Sequence, residues 1–332
     1  MNAKLGPAGD APQPAAIGKM SDEAIPADFT SGNIDLQNSS QTSSALPYSL
    51  NYEELHRKSR DILPPMFEGA KIIVSKGLSK HFQISHTLTL SQMMSGYRFG
   101  ATYVGNQGGS NGEMYPILLG DMDLQGNSSA TLLHRFKNNL RVKFQSQTQQ
   151  NKIVGANFSL ERQGKLSFIG LAIANPNLLQ NSGLFVAHYM RRITERIDVG
   201  AEYMYQCDPK LPGNQMSVFS YAMRYTTPFW TLAANLASSG AHFSYHHKQA
   251  ENIQFAVDLE TNFSAQESVA TFAYMVEIAN DVVLRASVDT NWTVGAVMEK
   301  KLSQNMPFSF VLSGTLNHTK QLSKFGVGLC IG

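Results

Sequence analysis

The chain predicts an all-β fold: a transmembrane barrel of nineteen strands with one short amphipathic helix ahead of it. Three observations lead there. From residue 68 onward the apolar residues repeat every second position, and no helical period survives. The alternating segments average about a dozen residues, against roughly five or six in soluble strands, and suit the roughly 9–11 that a tilted strand needs to cross a bilayer. Nineteen such segments follow one another, far more than one sandwich uses, and closure into a barrel removes the edges that an open sheet would expose.

The elements follow in chain order. Residues 1–47 are rich in Ala, Pro, Gly, Ser, Asn and Gln, hold little that could bury a core, and are expected to be a disordered leader. Residues 48–65 are expected to form an amphipathic helix docked in the pore. Its helical part is 51–63, with Asn51 as N-cap, Glu53 and Glu54 in the first turn, and basic residues from His56 to Arg60 behind them. Tyr52, Leu55, Ser59 and Ile62 share one stripe that must dock on something, and Pro64-Pro65 ends the helix.

The barrel then occupies 66–332. Its first nine strands are expected at 68–79, 82–91, 97–105, 115–125, 128–138, 140–150, 153–163, 165–174 and 182–194. The other ten are expected at 196–206, 216–226, 229–238, 240–249, 252–264, 267–279, 281–290, 291–302, 307–318 and 320–332. Gly, Asn, Asp and Pro separate them. Pro176, Pro209, Pro212, Pro228 and Pro307 fall between segments or at their starts, where a missing N–H is tolerated. The longer loops are 106–114, 175–181 and 207–215.

Alternation alone admits two readings. A soluble sandwich turns its apolar face into a core, whereas a membrane barrel turns it to lipid and lines a lumen with the polar face. Hydropathy does not separate them, because no apolar run approaches the roughly 18 residues of a spanning helix, and barrel strands escape that test. Strand number and length favour the barrel. A lipid-facing Arg or Lys at mid-bilayer would cost about 2–4 kcal/mol. The polar parity is therefore assigned to the lumen: Asp121, Asp123, Asp258, Glu260, Glu277 and Asp289 as acidic lining, and Arg141, Lys143, Gln145 and Gln147 as basic or polar lining. Acidic positions in a water-filled pore would attract a basic peptide more strongly than in bulk water.

Other classes are disfavoured. The 27 basic and 25 acidic residues leave a formal charge of +2, which gives no reason to expect nucleic acid. The N-terminus lacks the basic and apolar regions of a secretory signal. Two cysteines, Cys207 and Cys330, do not make a disulfide framework. No P-loop, HExxH, GxSxG or paired CxxC is present. No catalytic residue, cofactor or metal site is expected; the rings of His246 and His247 should point to opposite faces of their strand.

Several stretches together resemble the channel-forming subunit of the translocase of the outer mitochondrial membrane, within the mitochondrial porin superfamily. They include His56-Arg57-Lys58, Lys76-Gly77-Leu78-Ser79-Lys80-His81-Phe82-Gln83, Thr102-Tyr103-Val104-Gly105, Gly120-Asp121-Met122-Asp123, Gln147-Thr148-Gln149-Gln150, Val186-Ala187-His188-Tyr189, Asn291-Trp292, Glu299-Lys300-Lys301-Leu302 and Phe325-Gly326-Val327-Gly328-Leu329. The resemblance implies that the first and last strands pair in parallel and that the helix, with Tyr52, Leu55 and Ile62, lies inside. It implies an import pore for precursor proteins with basic presequences, working in the mitochondrial outer membrane. Receptor subunits, small single-helix subunits, a second copy and membrane lipid are the implied partners. Lys324, Gly326, Leu329 and Ile331 match the terminal-strand sorting signal of such barrels. The short leader, Cys330 and the 14 Met residues depart from the pattern, as a diverged paralogue would. The alternatives are a voltage-dependent anion-channel-like metabolite pore and, in another class, a soluble β-rich binding protein.

Overall fold

A computed structural model describes residues 50–92, 95–108, 114–136, 139–150, 152–177, 182–209, 213–278, 281–302 and 308–332. The expected leader 1–47 and the first two residues of 48–65 lie outside the described residues. After a single helical turn, α1 (Arg57–Arg60), the strands are Gly69–Gly77 (β1), Phe82–Leu90 (β2), Gly96–Gly108 (β3), Met114–Asp123 (β4), Ser128–Phe136 (β5) and Leu140–Gln149 (β6). They continue as Lys152–Gln163 (β7), Ser167–Asn177 (β8), Ser182–Thr194 (β9), Ile197–Cys207 (β10), Gln215–Thr226 (β11), Trp230–Ala237 (β12) and Gly240–Ala250 (β13). The last six are Ile253–Asn262 (β14), Glu267–Ile278 (β15), Val282–Asp289 (β16), Thr293–Lys301 (β17), Phe308–Asn317 (β18) and Leu322–Ile331 (β19).

Each strand pairs antiparallel with its neighbours in the chain, and β1 closes on β19 in parallel, from Gly69↔Gly326 to Val74↔Ile331. The parallel seam follows from the odd count: strands that alternate in direction give the nineteenth the same sense as the first. Closure leaves no open edge.

The ladder registers carry one parity around the whole barrel. Starting from Ile72↔Leu88, the outward set passes through Phe99, Phe144, Phe158, Leu171, Tyr203, Phe219, Leu232, Phe243 and Phe272 to Phe325, all exposed. So continuous an apolar surface far exceeds the few hundred Å² that soluble monomers expose. It is the surface a bilayer covers. Among the described residues no helix is long and apolar enough to cross a membrane. The inward set carries most of the charges and the segment 50–68, while Lys76, Arg162, Arg191 and Lys300 keep the outward parity near strand ends.

Most expected boundaries differ from the observed ones by one or two residues. The largest differences, three residues, mark two corrections. β3 runs on to Gly108, and β8 runs on to Asn177, so Pro176 lies inside a strand rather than between segments. A register shift between Ala174 and Asn177 accommodates it, since a bulge spares the ladder the N–H that proline lacks. Pro116 sits within β4 in the same way, across from a shift between Val104 and Gln107.

The expected helix over 51–63 is the third correction. Only Arg57–Arg60 is α-helical. Around it, Leu55 N→Tyr52 O, Ile62 N→Ser59 O and Leu63 N→Arg60 O close tight i→i+3 turns. His56, not Asn51, is the N-cap residue of that turn, while Asn51 Oδ1 accepts from Glu53 N at 3.1 Å. About a dozen residues before a Pro-Pro stop are too few for a helix stable on its own, so wall contacts set the local geometry.

Candidate functional site: the barrel lumen

The segment from Leu50 to Leu63 lies along the inner wall. Leu50, Tyr52 and Leu55 bury themselves against Phe168, Met190, Ala222 and Ala233, and Ile62 rests on Ala256 and Ala273. The stripe Tyr52, Leu55, Ser59 and Ile62 is buried throughout, at 8, 4, 3 and 1% exposure. The wall positions are small for a reason: alanines at inward sites of β11, β12, β14 and β15 let a backbone approach the sheet, where larger side chains would hold it off.

Polar contacts fix the segment's position. Tyr52 Oη meets Ser220 Oγ at 3.1 Å, and its ring stacks on His188 at 5.6 Å. Burial, reinforced by the Glu202 carboxylate, pushes the Tyr52 phenol up to about 12. Lys58 Nζ donates to Thr231 Oγ1 at 3.0 Å. Burial, and then Arg224, lowers its ammonium pKa from the ordinary value. His56 Nδ1 lies 2.6 Å from Ser244 Oγ, and its ring stacks on His242 with centroids 3.8 Å apart. Burial first, and then His242, pulls the His56 pKa down to about 3. A cavity of about 440 Å³ remains beside the segment, lined by Arg57, Arg135, Arg141, Glu161 and Arg224 among others.

The ten residues assigned to the lumen from the sequence share one face of the sheet, opposite the exposed apolar set. The β5–β6 pairing places Arg141, Lys143, Gln145 and Gln147 on the same face as Arg135. Asp258 and Glu260 on β14, Glu277 on β15 and Asp289 on β16 share that face. In the strand order β6 and β15 are nine strands apart of nineteen, so these basic and acidic stretches look at one another across the lumen.

The six carboxylates differ in what they touch. Glu260 and Glu277 are exposed. Asp258 Oδ1 is 2.6 Å from His242 Nε2, and Asp121 lies 3.4 Å from Arg98 Nε and hydrogen-bonds Ser129. Asp123 accepts from Gln125 N, Asn127 N and Asn127 Nδ2, and Asp289 accepts from Thr293 N. These last two tie down the turns after their strands.

Two arrangements were not apparent from the sequence. On adjacent strands, Asp198 accepts from Arg192 Nε at 2.8 Å and from Arg224 Nη2 at 2.8 Å, with all three side chains buried. At the β1–β19 seam, Phe67 lies over Gly326 and Gly328. A Cβ on Gly326 would meet the Phe67 carbonyl at 2.4 Å and its ring at 2.8 Å. Lys324 Nζ meets Glu68 Oε2 at 3.1 Å, while the parity turns Leu329 and Ile331 outward.

The eukaryotic porin family profile matches residues 49–326. A Caenorhabditis elegans protein named mitochondrial import receptor subunit TOM40 homolog is 54% identical over 283 residues, 85% of this chain and 94% of that one. A Drosophila melanogaster protein named TOM40 homolog 2 is 42% identical, covering 84% of this chain and 83% of its own length. The Homo sapiens TOM40 homolog is 38% identical, covering 86% and 79%.

Proposed function

The chain belongs to the TOM40 family of mitochondrial import receptor subunits, within the eukaryotic porins, and from that premise we propose how its lumen works. The protein is a multi-pass barrel of the mitochondrial outer membrane and conducts precursor proteins through its interior. The observation that carries this is the pairing of family with parity: an apolar exterior for lipid, and a charged interior for an aqueous, peptide-sized path. An α-helix with side chains is about 10–12 Å across, so the path suits a helix or an extended chain rather than a folded domain. The relatives' names favour import over a metabolite pore, and the exposed apolar exterior is at odds with a soluble binding protein.

The acidic wall around Asp258, Glu260 and Glu277 steers basic presequences, and Arg141 and Lys143 opposite limit how tightly they stick. The protein works within a complex of further subunits; receptors, small single-helix subunits and a second barrel are the partners that fit. Lys324, Gly326, Leu329 and Ile331 act as the insertion signal on the last strand.

The test is reconstitution of the purified chain in a planar bilayer with a mitochondrial presequence peptide. A cation-preferring pore blocked by the peptide is expected. Asp258→Asn with Glu260→Gln should slow peptide entry on the order of tenfold at low salt, and less at high salt, as screening removes the attraction. Glu260 should contribute the larger share, because Asp258 is engaged with His242. Block kinetics identical to wild type would remove these carboxylates from the steering role.

A further inference from the structure

The contact between the lumenal segment and the wall contains a set of ligands that neither the family nor the strand pattern explains. His56 comes from the segment, His242 from β13 and Asp258 from β14. One ring nitrogen of each histidine and one carboxylate oxygen lie within 4.8 Å of one another. From these we infer that His56, His242 and Asp258 form a binding site for a divalent transition-metal ion, Zn²⁺ above all, which clips the lumenal segment to the barrel wall.

The protonation pattern argues for it. A neutral imidazole carries one N–H and one lone pair. In the tautomer with the hydrogen on Nδ1, that N–H donates to Ser244 Oγ at 2.6 Å. His56 Nε2 is then a bare lone pair. It is buried with no hydrogen-bond partner, on a residue only 9% exposed. Such a group is costly unless something satisfies it, and a metal ion does. His242 Nε2 donates to Asp258 Oδ1 at 2.6 Å. Two histidines and one carboxylate suit zinc, with water as the fourth ligand.

Binding moves the His242 hydrogen: it leaves Nε2, the ring carries its one hydrogen on Nδ1 instead, and Nε2 coordinates the ion with the lone pair so freed, while Asp258 and His56 Nε2 use existing lone pairs. Ligand atoms about 2.0–2.1 Å from a tetrahedral ion stand roughly 3.4 Å apart, so His242 Nε2 and Asp258 Oδ1, at 2.6 Å, must open to admit it. The His56 ring must also turn out of its stack on His242. The segment has room for this, since α1 is one turn long and its neighbours are tight turns rather than a rigid helix. Ser244 then holds His56 in the tautomer that ligation requires, the usual service of an outer partner to a metal-bound histidine.

The test uses the full-length chain refolded in detergent and Zn²⁺ alone as the probe. Isothermal titration against a competing chelator should find one site that the triple variant His56→Ala, His242→Ala, Asp258→Asn lacks. Each single change should weaken that site by at least about tenfold, while His246→Ala, on the same wall, should leave it unchanged. His56 is outside the strands, so His56→Ala leaves the barrel's β-sheet circular dichroism intact and isolates the ligand. In parallel, Zn²⁺ should slow hydrogen exchange of 50–63 in the wild type and not in His56→Ala. Equal binding by wild type and triple variant would overturn the site. Binding without any change in the segment's exchange would overturn the clip. Neither result bears on whether the pore passes a presequence.

Discussion

Leu55→Ala is the sharpest probe of the docked segment. Leu55 is 4% exposed, enclosed by Leu50, Tyr52, Phe168, Met190, Ala222 and Ala233. Truncating a buried leucine costs about 2–5 kcal/mol in a closed core. The lumenal cavity reaches Leu55 and Phe168 and would admit water to the space, so the lower end applies, about 2 kcal/mol. At about 1.4 kcal/mol per factor of ten, the population with the segment detached should rise roughly thirtyfold. Hydrogen exchange with mass spectrometry reads that population directly: amides of 50–63 should exchange roughly thirtyfold faster, while peptides from β13 and β14 keep wild-type protection. Arg57→Ala, at a side chain 63% exposed, is the matched control and should shift the same amides by less than about threefold, as a surface ion pair is worth little. Unchanged exchange in Leu55→Ala, or an equal rise in the strands, would refute the docking argument.

Two further substitutions test the wall and the seam. Asp198→Asn should destabilise the barrel by about 3–5 kcal/mol, because Arg192 and Arg224 lose the buried carboxylate they share; a lower unfolding midpoint in urea checks it, and an unchanged one contradicts it. Gly326→Ala should cost about 1–3 kcal/mol by overpacking against Phe67, measured on refolded protein so that cellular insertion plays no part. Gly314→Ala, where nothing lies within 4 Å of an added Cβ, should be close to neutral, and equal costs for the two glycines would refute the contact at the seam.

Strand number and facing were legible because they depend on period two alone. Once Asp258 and Glu260 are placed on one parity, the ladder carries that assignment to Asp121 and Arg141 without further information. What depended on contacts across the lumen was not legible. Inward alanines such as Ala233 and Ala256 read as filler in a polar face; only the segment lying on them shows why they are small. His56 and His242 are separated by most of the barrel in sequence, and periodicity says which way a side chain points, not what it meets. The 51–63 helix was overestimated because its stripe was real but its length was marginal without the wall. Pro176 was misplaced because a bulge lets a strand continue past a proline. Asp123 and Asp289 share the lumenal parity, yet their hydrogen bonds go to the turns, a role that alternation cannot separate from pore lining.

The most direct test of the whole account is which solvent each face of one strand meets. In a background with Cys207→Ser and Cys330→Ser, a fluorophore would be attached at Val269→Cys, Thr271→Cys or Met275→Cys, and at Ala270→Cys, Phe272→Cys or Tyr274→Cys, in liposomes. The three even positions, outward on β15, should be quenched by nitroxide-labelled lipid and spared by aqueous iodide. The three odd ones should show the reverse. Even positions that neither quencher reaches, in a protein that stays dispersed without detergent, would mean that the apolar face is a core and that there is no pore.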